Sequence, residues 1–354
     1  MTRLKRVALG GAVAALVMTG AASKSFAIEG INFDNQLRGA TIGLPLGAAP
    51  PPGLYSGLES VAFVNDYYRG SGNGGPSDLY TQALAWAVPI VWSTGWNIFG
   101  ASLVLDVVQA GYTATSWTGS ADGNAAGNGF AGTAFIMANT TWDAGLSWNL
   151  GSGLFGSLAF SVIGPDGTAT QAGNPLPNPD WWTFMPHGAL SYLGNNWVLS
   201  ANVFYTFNTN SKGQCCIGNG GLGAGVPPVP LLATAANGFH SGDELFVDLT
   251  GAYKIGKWEI GAVGYIRQQT TGDSPGGGIA CTYGVGGLCG NLQDYAAGAL
   301  VGYDFGPVDL QAWFTDSFYC RNSGGCGLTV WSRLGFRLWG PEAAPAAKPL
   351  VSKN

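Results

Sequence analysis

The chain has 354 residues and a formal net charge of −5; only 10% of its residues are charged, 12% are aromatic, 58 are glycine and 13 are tryptophan. An ordinary soluble globule carries roughly 25% charge and about 7% glycine, and a disordered chain has few aromatics. Few basic residues disfavour nucleic acid as a partner, and after residue 27 no run of about 20 apolar residues offers a membrane-crossing helix. A glycine- and aromatic-rich chain with so little charge has the profile of a transmembrane β-barrel.

In chain order, Arg3, Lys5 and Arg6 precede a short apolar run from Val7 to Gly20, and Ser25-Phe26-Ala27 puts small residues before a cleavage at Ile28. Residues 1–27 are read as an export signal. Its removal takes four basic residues away, leaving 11 Lys and Arg against 20 Asp and Glu and a net charge of −9. Residues 28–52 are not strand-like and end in Ala49-Pro50-Pro51-Pro52-Gly53-Leu54-Tyr55. Three prolines favour a stiff extended entry into the first strand. Two dispositions are open for this periplasmic segment. It hangs as a loose tail, which its glycine content favours, or it plugs the barrel with Ile31, Phe33, Leu37, Ile42 and Leu44.

From residue 53 the pattern alternates with period two, the signature of half-buried strands. Trp197, Leu199, Ala201, Val203, Tyr205 and Phe207 share one face, and Asn196, Ser200, Asn202, Thr206 and Asn208 the other. Tyr295, Ala297, Ala299, Val301 and Tyr303 form an apolar face with an aromatic at each end, as a lipid-facing strand requires. The alternation predicts twelve strands, at about 53–68, 78–93, 97–112, 131–149, 152–163, 182–193, 196–210, 242–253, 257–269, 293–304, 307–319 and 327–339.

Five predicted connections are tight and contain glycine: Thr94-Gly95-Trp96, Leu150-Gly151, Gly194-Asn195, Ile255-Gly256 and Phe305-Gly306. The other six, at 69–77, 113–130, 164–181, 211–241, 270–292 and 320–326, are longer and rich in Gly, Asn, Pro and Ser. Short turns on one side and long loops on the other mark the periplasmic and exterior faces of an outer-membrane barrel. A soluble sandwich would also alternate, but gives no reason for aromatic girdles or alternating loop lengths. The expected fold is an all-β, antiparallel up-and-down transmembrane barrel over residues 53–339, with both termini and a tail at 340–354 in the periplasm.

The six cysteines, Cys215, Cys216, Cys281, Cys289, Cys320 and Cys326, fall in or beside the exterior loops. An even count in an exported chain implies disulfides, with Cys281, Cys289, Cys320 and Cys326 as the candidates. Cys215 and Cys216 are adjacent, and their pairing stays open. No cysteine pair has C-x-x-C spacing, and His187 and His240 stand far apart, so neither a metal nor a cofactor is expected.

The signal peptide, the glycine-rich start, the Ala49-Pro50-Pro51-Pro52-Gly53-Leu54-Tyr55 run and an apolar last strand ending near Leu338 resemble the outer-membrane proteins named for the meta-pathway of phenol degradation. The resemblance implies a Gram-negative outer-membrane location and uptake of aromatic or other hydrophobic compounds. It supplies no catalytic or binding residues. Residues 340–354 depart from it by extending beyond the last strand.

Strand parity points Asp106, Asp143, His187, Glu244, Asp248, Glu259, Arg267, Asp309, Arg333 and Arg337 into the lumen. Unpaired charges in a narrow lumen are costly, so pairing across it is expected. Twelve strands enclose little more than side chains can fill, so the passage is narrow or occluded. Trp117 and Trp181 lie in exterior loops, where aromatics would form an entry for an apolar solute. No nucleophile is expected at hydrogen-bonding strand spacing from His187, so catalysis is not expected. The reading is a monomeric barrel in outer-membrane lipid for passive uptake of small hydrophobic or aromatic molecules. The alternatives are a general small-solute channel, or a structural or surface-interaction barrel with an occluded lumen.

Overall fold

The computed structural model describes residues 35–65, 80–118, 130–167, 179, 181–210, 240–272, 291–321 and 327–341. Its elements are twelve strands: β1 (Gly53–Asn65), β2 (Tyr80–Ile98), β3 (Ala101–Thr118), β4 (Phe130–Gly151), β5 (Leu154–Ile163), β6 (Thr183–Gly194), β7 (Trp197–Asn208), β8 (Glu244–Ile255), β9 (Trp258–Gln269), β10 (Gln293–Asp304), β11 (Val308–Arg321) and β12 (Gly327–Trp339). Each pairs antiparallel with its neighbours in sequence, and β1 pairs with β12 to close the barrel. Closure leaves no strand edge unpaired, the condition for backbone to cross a hydrocarbon layer.

Alternation sorts the side chains as the pattern requires. Leu58, Ile90, Leu158, Leu190, Leu249, Ile260 and Val330 point outward and stay exposed on the lipid-facing wall. Aromatics ring the turn end, where Trp197 meets Tyr253 edge-on at 5.0 Å and Trp258 meets Tyr303 at 4.7 Å. At the opposite rim Phe160 stacks on Phe184 and Tyr295 on Tyr319. Such belts sit at the headgroup level on both faces of a membrane.

Two connections differ from expectation. The β2–β3 turn lies at Phe99-Gly100, not at Thr94-Gly95-Trp96. Both turn residues have positive φ, 53° and 79°, as a two-residue hairpin turn that matches the strands' twist demands. Gly95 instead marks a register shift between Ser93 and Asn97. Trp117 belongs to β3, paired with Thr81 and Phe130, rather than to a loop, so both strands bounding that connection reach further than expected. Cys320, near the end of β11, is disulfide-bonded. Cys215, Cys216, Cys281, Cys289 and Cys326, residues 1–34 and the tail from 342 lie outside the described residues, as does most of each predicted exterior loop.

Candidate functional site

The lumen is occupied by the chain's own residues 35–52, which neither hang below the barrel nor stay in the periplasm. Pro52 sits at the turn end, where its carbonyl accepts a hydrogen bond from Arg337 at 2.6 Å. Ser93 donates to the Pro50 carbonyl beside it. The segment then rises through the barrel to Asn35, whose amide donates at 2.6 Å to Thr183, the first residue of β6 at the opposite end.

Inside, it folds into consecutive tight turns. Ala40, Ile42, Leu44 and Ala48 donate their amides to the carbonyls of Leu37, Gly39, Thr41 and Pro45. Gly39 and Gly43 take positive φ, 74° and 81°, which lets the chain reverse in so narrow a space. These bonds leave backbone groups over, and buried backbone groups need partners. Barrel side chains supply them. Asp248 accepts from the Gly39 and Thr41 amides at 3.1 and 2.9 Å and from the Thr41 hydroxyl at 2.7 Å. Thr250 and Ser191 accept from the Gly43 and Gly47 amides. Ser147 accepts from the Ala49 amide and donates to the Gly47 carbonyl. Asn202 donates to the carbonyls of Thr41 and Leu44.

Arg333 is the main donor from the other wall. Its guanidinium reaches the Ala40 carbonyl at 2.6 Å and the Ile42 carbonyl at 2.7 Å while pairing with Glu59 at 2.6 Å. The apolar side chains complete the fit. Ile42 is fully buried in a core with Val61, Phe63, Val263, Tyr265, Leu300, Trp313 and Trp331. Leu46 packs on a second cluster of Ile163, Met185, Phe204 and Phe246.

The other parity-selected residues fall into local groups. Glu244 pairs with Arg267 at 2.8 Å. Glu259 faces the largely exposed Lys254 at 4.0 Å and accepts from Gln311 at 3.5 Å. Asp309 is exposed near the turn end of β11, and Arg337, also exposed, lies over the Tyr55 ring. Asp106 and Asp143 stand opposite each other on β3 and β4. Trp181 is buried rather than presented to the exterior, because it shares the inward parity of Thr183 and Met185. Its neighbours Trp182 and Phe184 face outward and join the upper belt. The side chain of Trp117 lies outside the described residues.

Sequence reasoning missed Arg38, which pairs with the buried Asp294 at 3.3 Å and lies over the Phe63 and Tyr265 rings. It is the one charged residue between Asn35 and Pro52, and a lone charge in an apolar segment was the available signal.

His187 does have a serine within reach, on the neighbouring strand β5. Ser161 Oγ donates to Asp143 Oδ2 at 2.5 Å, His187 Nε2 meets the same oxygen at 2.5 Å, and the hydroxyl and ring nitrogen stand 3.1 Å apart. In a serine nucleophile site the hydroxyl hands its proton to one ring nitrogen while the acid holds the other. Here one carboxylate oxygen gathers both groups on the same nitrogen's side, which ties three strands together rather than activating the hydroxyl. His187 also stacks on Phe204 at 4.9 Å. Among the described residues no cluster of three or more His, Cys, Asp or Glu side chains has the geometry to hold a metal.

A family model described as "Putative MetA-pathway of phenol degradation" matches residues 65–334. No curated protein matches the sequence. Among solved structures, an outer membrane channel from Pseudomonas putida F1 superposes with a TM-score of 0.60 at 12% identity, covering 83% of this chain and 98% of that one. The translocator domain of the autotransporter NalP from Neisseria meningitidis superposes at a TM-score of 0.45 and 12% identity, over 81% of this chain and 89% of that one, too distant to build on. The closed twelve-strand barrel is thus the fold of an outer membrane channel.

Proposed function

The chain belongs to the family described as the MetA-pathway of phenol degradation, and we propose that it is an outer-membrane channel for passive uptake of small hydrophobic or aromatic molecules. The observation that carries this reading is the lining of the lumen around the inserted segment. Phe63, Tyr265, Leu300, Trp313 and Trp331 pack there against Ile42, an apolar and aromatic wall rather than a hydrated constriction. Nearby charges are spent on one another in the pairs Glu59–Arg333, Glu244–Arg267 and Arg38–Asp294, and Asp248 on the donors of Gly39 and Thr41. A buried charge with its partner in place offers little to a hydrated ion. Passage is diffusive and involves no covalent chemistry. In this reading the working unit is a monomer.

Initial uptake of labelled toluene, at limiting concentration, in cells with and without the gene tests the reading. Loss of uptake, restored by the intact gene, is expected. The occupied lumen is the observation that favours a structural or surface-interaction barrel instead. No difference in uptake, with the protein shown to be in the outer membrane, moves the weight there. Steady conductance without chemical preference would make it a general small-solute channel.

A further inference from the structure

Trp313 on β11 and Trp331 on β12 stand directly opposite each other. Their rings are nearly parallel, 6° apart, with centroids 5.4 Å apart. Both are almost wholly buried, and neither indole nitrogen has a hydrogen-bond acceptor among the described residues. That is unusual, because a buried indole N–H ordinarily finds a partner and its burial is otherwise unfavourable. The inserted segment runs past this wall: a methyl group on Gly39 would stand 3.7 Å from the Trp331 nitrogen. The acceptors of that turn are already committed. The Ala40 and Ile42 carbonyls take Arg333, the Gly39 carbonyl takes the Ile42 amide, and the Gln311 side-chain oxygen also takes Arg333.

Resting on the uptake reading above, we infer that Trp313 and Trp331 form a specificity subsite that favours neutral aromatic solutes carrying an acceptor oxygen over hydrocarbons of the same shape. A solute that takes the place of Ile42 against the β11–β12 wall meets rings to pack against and two N–H donors that have no acceptor among the described residues. The Arg333 guanidinium lies 4.7 Å from the centre of the Trp313 ring, and its pairing with Glu59 leaves no net charge there to hold an ion. A full anion would have to shed its hydration to reach the same place, which is far costlier than desolvating a carbonyl.

Acetophenone and α-methylstyrene separate the donors from the packing, because they share a shape and differ in C=O against C=CH2. Binding of each to the full-length mature protein in nanodiscs is measured at equilibrium, with protein-free discs as background. Trp313→Phe with Trp331→Phe keeps two rings and removes both donors. Acetophenone binding is expected to weaken about five- to tenfold, and α-methylstyrene binding to stay unchanged. If the double variant fails to fold, the two single variants are expected to show the same selective loss in part. Equal weakening of both ligands, or no change in either, overturns the subsite. Gene-dependent toluene uptake with acetophenone binding insensitive to the substitutions overturns the subsite alone. A wild-type protein that binds neither ligand, in cells whose toluene uptake ignores the gene, overturns the uptake reading with it.

Discussion

Asp248 and Thr41 are joined twice: one carboxylate oxygen accepts the Thr41 amide at 2.9 Å and its hydroxyl at 2.7 Å, across 207 positions of sequence. The other oxygen takes the Gly39 amide. A strand residue in the lumen thereby holds the inserted segment at its middle, where three donors would otherwise lose their partner together.

Asp248→Ala is therefore expected to loosen the segment without unpairing any strand. Hydrogen bonds to a charged group are worth about 1.5–3 kcal/mol each. The time spent in conducting states should rise about tenfold or more in planar-bilayer recordings. Traces matching wild type would count against a holding role for Asp248.

Deleting residues 35–48 should leave a folded barrel, since pairing begins at Gly53, and should replace intermittent small currents with a steady larger one. Conductance equal to wild type would mean that the segment does not limit passage.

Arg333 serves both the barrel wall and the segment, so its loss should cost more than that of a surface charge. Arg333→Ala leaves the mostly buried Glu59 unpaired and the Ala40 and Ile42 carbonyls without their donor. Breaking a buried ion pair costs about 3–5 kcal/mol. The temperature at which the folded band converts on a heat-modifiability gel should fall clearly. Glu59→Gln combined with Arg333→Gln should lower it by less than the two single changes together, because no buried charge is left alone.

The Ser161, His187 and Asp143 cluster is expected to be structural. Purified protein should not hydrolyse p-nitrophenyl esters, and Ser161→Ala should leave uptake unchanged. Asp143→Ala should destabilise by about 1–3 kcal/mol, because it removes the acceptor that the Ser161 hydroxyl and the His187 ring nitrogen share and leaves them only each other. Ester hydrolysis lost in Ser161→Ala would reverse this assignment.

The strands are legible because their signal is local. Residues 293–304 alternate with an aromatic at each end of the outer face, and β10 spans Gln293–Asp304. The β2–β3 turn is not, because glycine at positive φ serves a bulge as readily as a turn, and Gly95 is a bulge. Trp181 reads as an exterior-loop residue because the predicted strand begins only at 182; the inward parity it shares with Thr183 decides otherwise. Ser161 and His187 do not come together in the sequence because strand spacing along one chain says nothing of which positions on the next strand stand opposite.

What the sequence alone determined is the barrel: twelve strands, their inner and outer faces, and short turns alternating with long connections. Period-two alternation and turn chemistry act over a few residues, so they survive without knowledge of the rest of the fold. What only the tertiary structure decided is the content of the lumen. Residues 35–52 are short of strand pattern and rich in glycine, and their place is set by backbone groups that need partners, not by side-chain periodicity. Those partners, Ser147, Ser191, Asn202, Asp248 and Arg333, come from strands 98 to 293 positions away. They converge only because closing the barrel points them all at one axis, and no local pattern records which of many inward polar residues will meet there.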